Sequence, residues 1–182
     1  MADRAPTSEH IEVIFSASAI AERIRAVSGD IAGAGLDDLL VVAILKGSFV
    51  FAADLLRALH GAGLSPQVDF LSLASYRTAT TSSGQVEIVR DLEAEVAGRN
   101  VLIIDDILES GRTLAFAKDL IVARGAARVL TCVLLDKPVA RAVSVTADFI
   151  AFECPKVFVV GYGMDLAHRF RELPFVGRVV RD

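Results

Sequence analysis

VLIIDDILESGRT, residues 101–113, places a buried strand, three carboxylates and a phosphate-sized turn within thirteen residues. Residues 101–104 form an unbroken run of β-branched and Leu side chains, the mark of a strand covered on both faces in a parallel sheet. Asp105 and Asp106 then fall at its carboxyl end, the edge at which open α/β sheets bind ligands. Ile107 and Leu108 anchor the turn. Glu109, Ser110, Gly111, Arg112 and Thr113 lead into a helical pattern with Leu114, Ala117 and Ile121 on one face, and Gly125 stops that helix.

A strand, a turn containing Gly and hydroxyls, and a helix N-terminus together make a nest of backbone N–H groups with a positive dipole end behind it, suited to phosphate. Three carboxylates beside such a nest would repel the ligand unless they serve its other parts: ribose hydroxyls, a metal or a proton in transfer. The combination therefore points to a sugar phosphate. Taken singly, Asp105 and Asp106 also read as solvated strand-end residues, and Glu109 as a partner for the helix dipole.

With 182 residues, 53% hydrophobic and 23% charged, the chain has the length for one domain with a full core and is not a disordered polymer. Residues 1–10, MADRAPTSEH, read as a flexible polar tail and residues 11–182 as the single domain. The apolar run at residues 39–45 is too short for a membrane span. A net charge of −4 argues against a nucleic-acid footprint. Cys132 and Cys154 lack CxxC spacing and read as reduced thiols, which fits a cytoplasmic protein.

In chain order, residues 11–15 alternate like a short strand. Ser16 or Ser18 then caps a helix with Ile20, Ile24, Val27 and Ile31 at helical spacing, broken by Gly33 and Gly35. The strand at 39–45 ends in Lys46, Gly47 and Ser48 before an apolar helix at 49–59. That is a second anion cup, although an ordinary turn with Lys46 in water has the same pattern. Residues 67–74 read as a strand and 75–84, rich in Ser and Thr, as a mobile loop. Residues 86–89 alternate and pair back as a hairpin. A fourth core run at 127–135 ends in Asp136, Lys137 and Pro138. Short strands follow at 148–152 and 157–160, with Pro155 turning between them, and residues 176–180 close the chain as an edge strand.

These segments resemble the type I phosphoribosyltransferases, which use phosphoribosyl pyrophosphate (PRPP), and the likeness covers most of residues 39–177, with four motifs in the family's order. By the resemblance, Asp105 and Asp106 hold the ribose 2′ and 3′ hydroxyls, and Glu109, Ser110, Gly111, Arg112 and Thr113 hold the 5′-phosphate. Lys46 and Gly47 match the loop whose strained peptide presents N–H groups to pyrophosphate, which Arg171 also contacts. Ser75 and Tyr76 match the start of a lid. Lys137 stands where members that use 6-oxopurines place a donor to the base's O6. FVVGYGMD, residues 158–165, matches the base-binding stretch, with Phe158 against the purine ring and Val159 and Asp165 beside it. Asp165, with Asp105 and Asp106, is implied to bind Mg²⁺. The chain departs from the pattern in carrying Glu109 where Asp is usual, and Asp105 then Asp106 where Glu then Asp is usual. No carboxylate is lost, but the reach of each changes.

The implied fold is a single α/β domain of the type I phosphoribosyltransferase kind, a mainly parallel core sheet flanked by helices, with a small hood and a mobile lid loop. The implied reaction joins phosphoribose from PRPP to hypoxanthine or guanine and releases pyrophosphate, with Glu109 as the catalytic acid/base and a homodimer or homotetramer as the assembly. Use of adenine, orotate or a pyrimidine is the nearest rival. A regulator of the same fold that senses PRPP and binds nucleic acid is a rival of another class. A P-loop hydrolase is excluded by the absence of GxxxxGK[ST].

Overall fold

The computed structural model describes residues 9–75, 86–139 and 141–181. Along the chain lie β1 (Glu9–Phe15), α1 (Ala17–Gly33), β2 (Leu39–Leu45), α2 (Phe49–Gly61), β3 (Gln67–Ser75), β4 (Val86–Arg90), β5 (Asn100–Leu108), α3 (Arg112–Ala123), β6 (Arg128–Asp136), β7 (Phe149–Glu153), β8 (Val159–Val160) and β9 (Val176–Arg181). Residues 1–8 of the expected tail and residues 76–84 of the expected lid, Tyr76 included, lie outside the described residues. Glu9 and His10 belong to β1, opposite Arg181 and Val180.

The main sheet has the order β4-β3-β2-β5-β6-β7, parallel except for the hairpin strand β4. Its centre is β2, whose LLVVAIL side chains alternate between two apolar layers. Val41 and Ala43 pack with α1 and α2, whereas Leu40, Val42 and Ile44 pack with α3. Each helix answers with one stripe: Ile20, Ile24, Val27 and Ile31 on α1, Phe51, Leu55 and Leu59 on α2, and Leu114, Ala117 and Ile121 on α3. Ser16 is the cap of α1, its Oγ accepting the N–H of Ala19 at 3.2 Å.

Strand pairing corrects two further expectations of the sequence reading. β5 does not stop at Ile104 but continues to Leu108, because β6 runs equally far beside it, with Asp105 opposite Val133 and Leu108 opposite Asp136. The paired acids thus belong to the last part of the strand. Residues 176–180, expected at an edge, form the central strand of a second, antiparallel sheet of order β1-β9-β8, because both ends of the chain's fold pair with it. This small sheet is the hood, and Val159 and Val176 tie it into the α1/α2 side of the core.

Asp69 fastens the hairpin side of the sheet. Its carboxylate accepts N–H groups from Phe70 (2.7 Å), Glu93 (2.7 Å) and Ala94 (2.8 Å). Burial pushes this carboxyl up, but the Ala94, Phe70 and Glu93 N–H groups, with the nearby Arg90 charge, hold it below the usual carboxylate range. A folded-state pKa below the unfolded one gives stability that is complete above the unfolded value and is lost as pH falls through the folded value. Asp69→Ala should therefore lower the unfolding free energy by about 1 to 3 kcal/mol at neutral pH. Urea titrations repeated at falling pH should show that gap narrowing below about pH 4.

Candidate active site

The carboxyl ends of β2, β3 and β5 open into a cleft of about 510 Å³ whose walls include Lys46, Gly47, Asp106, Phe158, Asp165 and Arg171. Ser72, Leu73, Ala74 and Val89 also line it. The sequence reading did not single these out. The strand-end rule points to residues 72–74, since β3 ends beside β2; for Val89 the sequence carries no signal. A second cleft of about 390 Å³ is lined by Glu109, Ser110, Gly111, Thr113 and Val139 and shares Ile107 with the first. Arg112 is not among its lining residues; it opens α3, and its N–H reaches Ser110 Oγ at 3.4 Å. A larger, mostly apolar groove of about 900 Å³ between α1, α2 and residues 162–174 shares only Arg171 with the first cleft.

The two acids of β5 are unlike in setting. Asp105 is 4% exposed, and its Oδ1 accepts the N–H of Asp106 at 3.0 Å. Burial, and then the negative charge of Asp106, push its carboxyl well above the usual range. Burial also raises Asp106, while hydrogen bonds and the Arg171 charge pull it back. The Asp106 carboxylate rests directly on the Cα of Gly47, so that any side chain there would collide with it. The Gly47 carbonyl in turn lies against Gly163, at φ 98°, another position with no room for a Cβ. The Leu45–Lys46 peptide is cis. Ser48, following it, is buried and anchors the loop to β2 through a 2.5 Å hydrogen bond to the Ile44 carbonyl.

Gly111 precedes α3 with φ 81°, and a side chain on it would meet the carbonyl of Val143. Its lack of a Cβ is therefore demanded by the neighbouring loop. That loop is fastened to the turn by N–H groups of Ala142 and Val143 donating to the Ser110 carbonyl at 3.0 and 3.2 Å. Arg141 holds the loop's two ends together, pairing with Asp136 and donating to the Val145 carbonyl. At the junction stands Lys137, 5% exposed, its Nζ 3.6 Å from Glu109 Oε1. Phe158 presents a ring that is 58% exposed, beside the buried Val159. Asp165 accepts the Arg171 guanidinium and the His168 N–H, each at 2.7 Å, and Arg171 also donates to the Gly163 carbonyl at 2.5 Å. Ser75 is the last residue of β3.

The donor set suits Mg²⁺. Asp105 and Asp106 put hard carboxyl oxygens side by side, where a cation would offset the Asp106 charge that raises Asp105, and Asp106 and Asp165, though not Asp105, line the same cleft. Among the described residues no group of three or more His, Cys, Asp or Glu side chains forms a ready-made metal cage. An ion that completes its shell with ligand phosphate oxygens needs none.

Residues 10–166 match the family model of the phosphoribosyl transferase domain. Among curated relatives, the chain is 44% identical over 168 residues to a bifunctional TilS/HprT protein of Listeria innocua, covering 91% of this chain and 25% of that protein. The chain thus spans about a quarter of the length of that bifunctional relative. It is 38% identical to the hypoxanthine phosphoribosyltransferase of Haemophilus influenzae, over 94% of this chain and 96% of the other. The crystal structure of a hypoxanthine-guanine phosphoribosyltransferase from Bacillus anthracis superposes with a TM-score of 0.87 at 37% identity, covering 94% of this chain and 100% of that one.

A carboxyl raised on folding penalises the folded state at every pH above its unfolded value, and the penalty vanishes when both states are protonated. Asp105→Asn keeps the oxygen that accepts the Asp106 N–H but removes the buried charge. At neutral pH its thermal midpoint should lie above that of the parent protein, and the two midpoints should converge as pH falls toward about 4. A lower midpoint at neutral pH would show that Asp105 is not under electrostatic strain.

Proposed function

The chain belongs to the phosphoribosyl transferase domain family, and we propose that it transfers phosphoribose from PRPP to hypoxanthine, and to guanine, releasing pyrophosphate in a route that salvages free purine bases. The observation that carries this reading is the buried Lys137 ammonium set beside the Glu109 carboxylate, 3.6 Å apart. In a 6-oxopurine, O6 accepts a hydrogen bond and N7, on the same edge, can carry a proton. A fixed donor next to an acceptor matches that edge. The open ring of Phe158 supplies a stacking surface, with Val159 and Asp165 at the border of the base.

In this reading, the turn from Glu109 to Thr113 holds the 5′-phosphate through backbone N–H groups and hydroxyls, and Asp105 and Asp106 receive the ribose hydroxyls. The bond from C1′ to pyrophosphate breaks through a cation-like sugar, comparable to that of glycoside cleavage. Amides at Lys46 and Gly47, with Arg171, hold the departing pyrophosphate. Bound Mg²⁺, with Asp105, Asp106 and Asp165 to hold it, supplies charge neutralisation at the pyrophosphate. Glu109 takes the N7 proton as N9 attacks C1′. A homodimer or homotetramer in the cytoplasm belongs to the same reading. Among the described residues no helix is long and apolar enough to cross a membrane.

With PRPP and Mg²⁺, hypoxanthine and guanine should release pyrophosphate, and adenine should fall at least about tenfold behind in kcat/KM, since its amino group would face the Lys137 donor in a desolvated pocket. Adenine turnover equal to that of hypoxanthine would remove the base assignment. Glu109→Gln preserves an acceptor for Lys137 but cannot take a proton, and should lose about 10² to 10⁴ in kcat with little change in the KM for PRPP. Glu109→Asp should keep much of the activity. Near-normal turnover in the Gln variant would reduce Glu109 to a binding role.

A further inference from the structure

We propose that Tyr162 and Asp54 form a positioning latch for the pyrophosphate end of the site, setting how far the Lys46 and Gly47 amides stand from Arg171. The proposal rests on the PRPP reading above and adds to it two residues that lie outside the matched motifs' assigned roles.

Tyr162 is buried, in the left-handed region at φ 51°, at the crest of the turn that follows β8. Its hydroxyl donates to Asp54 Oδ2 at 2.5 Å, and Asp54 also pairs with Arg57. Asp54 stands in the first half of α2, the helix whose N-terminus continues directly from Lys46, Gly47 and Ser48. On the other side of the bond, the Tyr162 N–H donates to the Leu173 carbonyl at 2.9 Å. The next residue, Gly163, lies with its Cα against the Gly47 carbonyl. Its N–H bonds the Arg171 carbonyl at 3.0 Å, and its own carbonyl receives the Arg171 guanidinium at 2.5 Å.

A single phenol-to-carboxylate hydrogen bond therefore closes a ring: Gly47, α2, Asp54, Tyr162, Gly163 and back to Gly47, with Arg171 hung from its last member. Burial, and then the neighbouring carboxylate, push the phenol's ionisation up, so it remains a donor. Donation to a charged acceptor makes the bond a strong one. Tyr162 and Asp54 line the apolar groove and not the cleft, so neither touches reacting atoms; they act through Gly47 and Arg171.

Tyr162→Phe removes only the hydroxyl. The KM for PRPP and the Kd for pyrophosphate should each rise about tenfold, while the KM for hypoxanthine stays within about twofold. Asp54→Leu should reproduce this split. Asp54→Asn, which keeps an acceptor oxygen, should restore PRPP binding, and Tyr162→Phe with Asp54→Leu should be no worse than either alone. Unchanged PRPP and pyrophosphate affinity in a folded Tyr162→Phe variant, a fall in thermal midpoint alone, or additive losses in the double variant would overturn the latch. Should Tyr162→Phe not fold, equal PRPP KM values for Asp54→Leu and Asp54→Asn overturn it in the same way. The parent protein is the control: if it does not turn over PRPP, the functional reading itself falls, whereas an active parent with indifferent variants removes only the latch.

Discussion

The Asp106 carboxylate resting on the Cα of Gly47 is the contact on which the site depends. It brings the end of β5 against the loop after β2, two neighbouring parallel strands, at a distance that only glycine allows. From there the arrangement propagates. The Gly47 carbonyl meets Gly163, Gly163 takes Arg171, and Arg171 takes Asp165, so the hood and the main sheet share one wall of the cleft. The glycines at 47 and 163 are thus points where two pieces of backbone, or a backbone and a charge, must touch. Any larger residue at either would separate the groups that line the cleft.

Placing charge in this cleft opposes folding. Asp105 is buried beside the negative charge of Asp106, and the Lys137 ammonium is almost removed from water with Glu109 as its neighbour. Such groups are destabilising unless something else fixes them, and here the fixing comes from strands whose apolar side chains are buried on both faces. The parallel register of β5 with β6 runs past the acids to Leu108 and Asp136, so the carboxylates are carried on paired, stiff backbone instead of on a free loop. The turn that lines the second cleft is built differently. The turn at Ser110 and Gly111 is irregular, but the Ala142 and Val143 amides and the Arg141 bridge brace it from behind. A rigid strand presents the acids and a braced turn presents the N–H donors, the division that the proposed sugar-phosphate ligand would use.

Much of this was legible in the order of residues because burial leaves a periodic trace. The continuous run of β2, the stripe of Leu114, Ala117 and Ile121 on α3, and the break at Gly125 each follow from which side chains must leave water. Local chemistry likewise drew attention to Asp105, Asp106, Lys46 and Lys137, because each follows an apolar strand at the edge where open sheets bind ligands, whereas Arg171 follows no strand and was singled out only by the family resemblance. Local pattern also misled where pairing partners decide. Nothing within VLIIDD says that the strand continues to Leu108; β6 alongside it does. Nothing in residues 176–180 says that they will be flanked on both sides.

The sequence by itself determined the alternation of strands and helices, the glycine turn before α3 and the inventory of charged groups, since each depends on neighbours a few residues away. Only the tertiary structure decided which groups meet: Lys137 with Glu109, the Val143 backbone with the turn at Ser110 and Gly111, and Tyr162 with Asp54 across a separation of 108 residues. The physical reason is that hydrophobic periodicity is read from one segment, while a hydrogen bond or a close glycine contact between distant segments exists only after strand register and helix packing have set their separation.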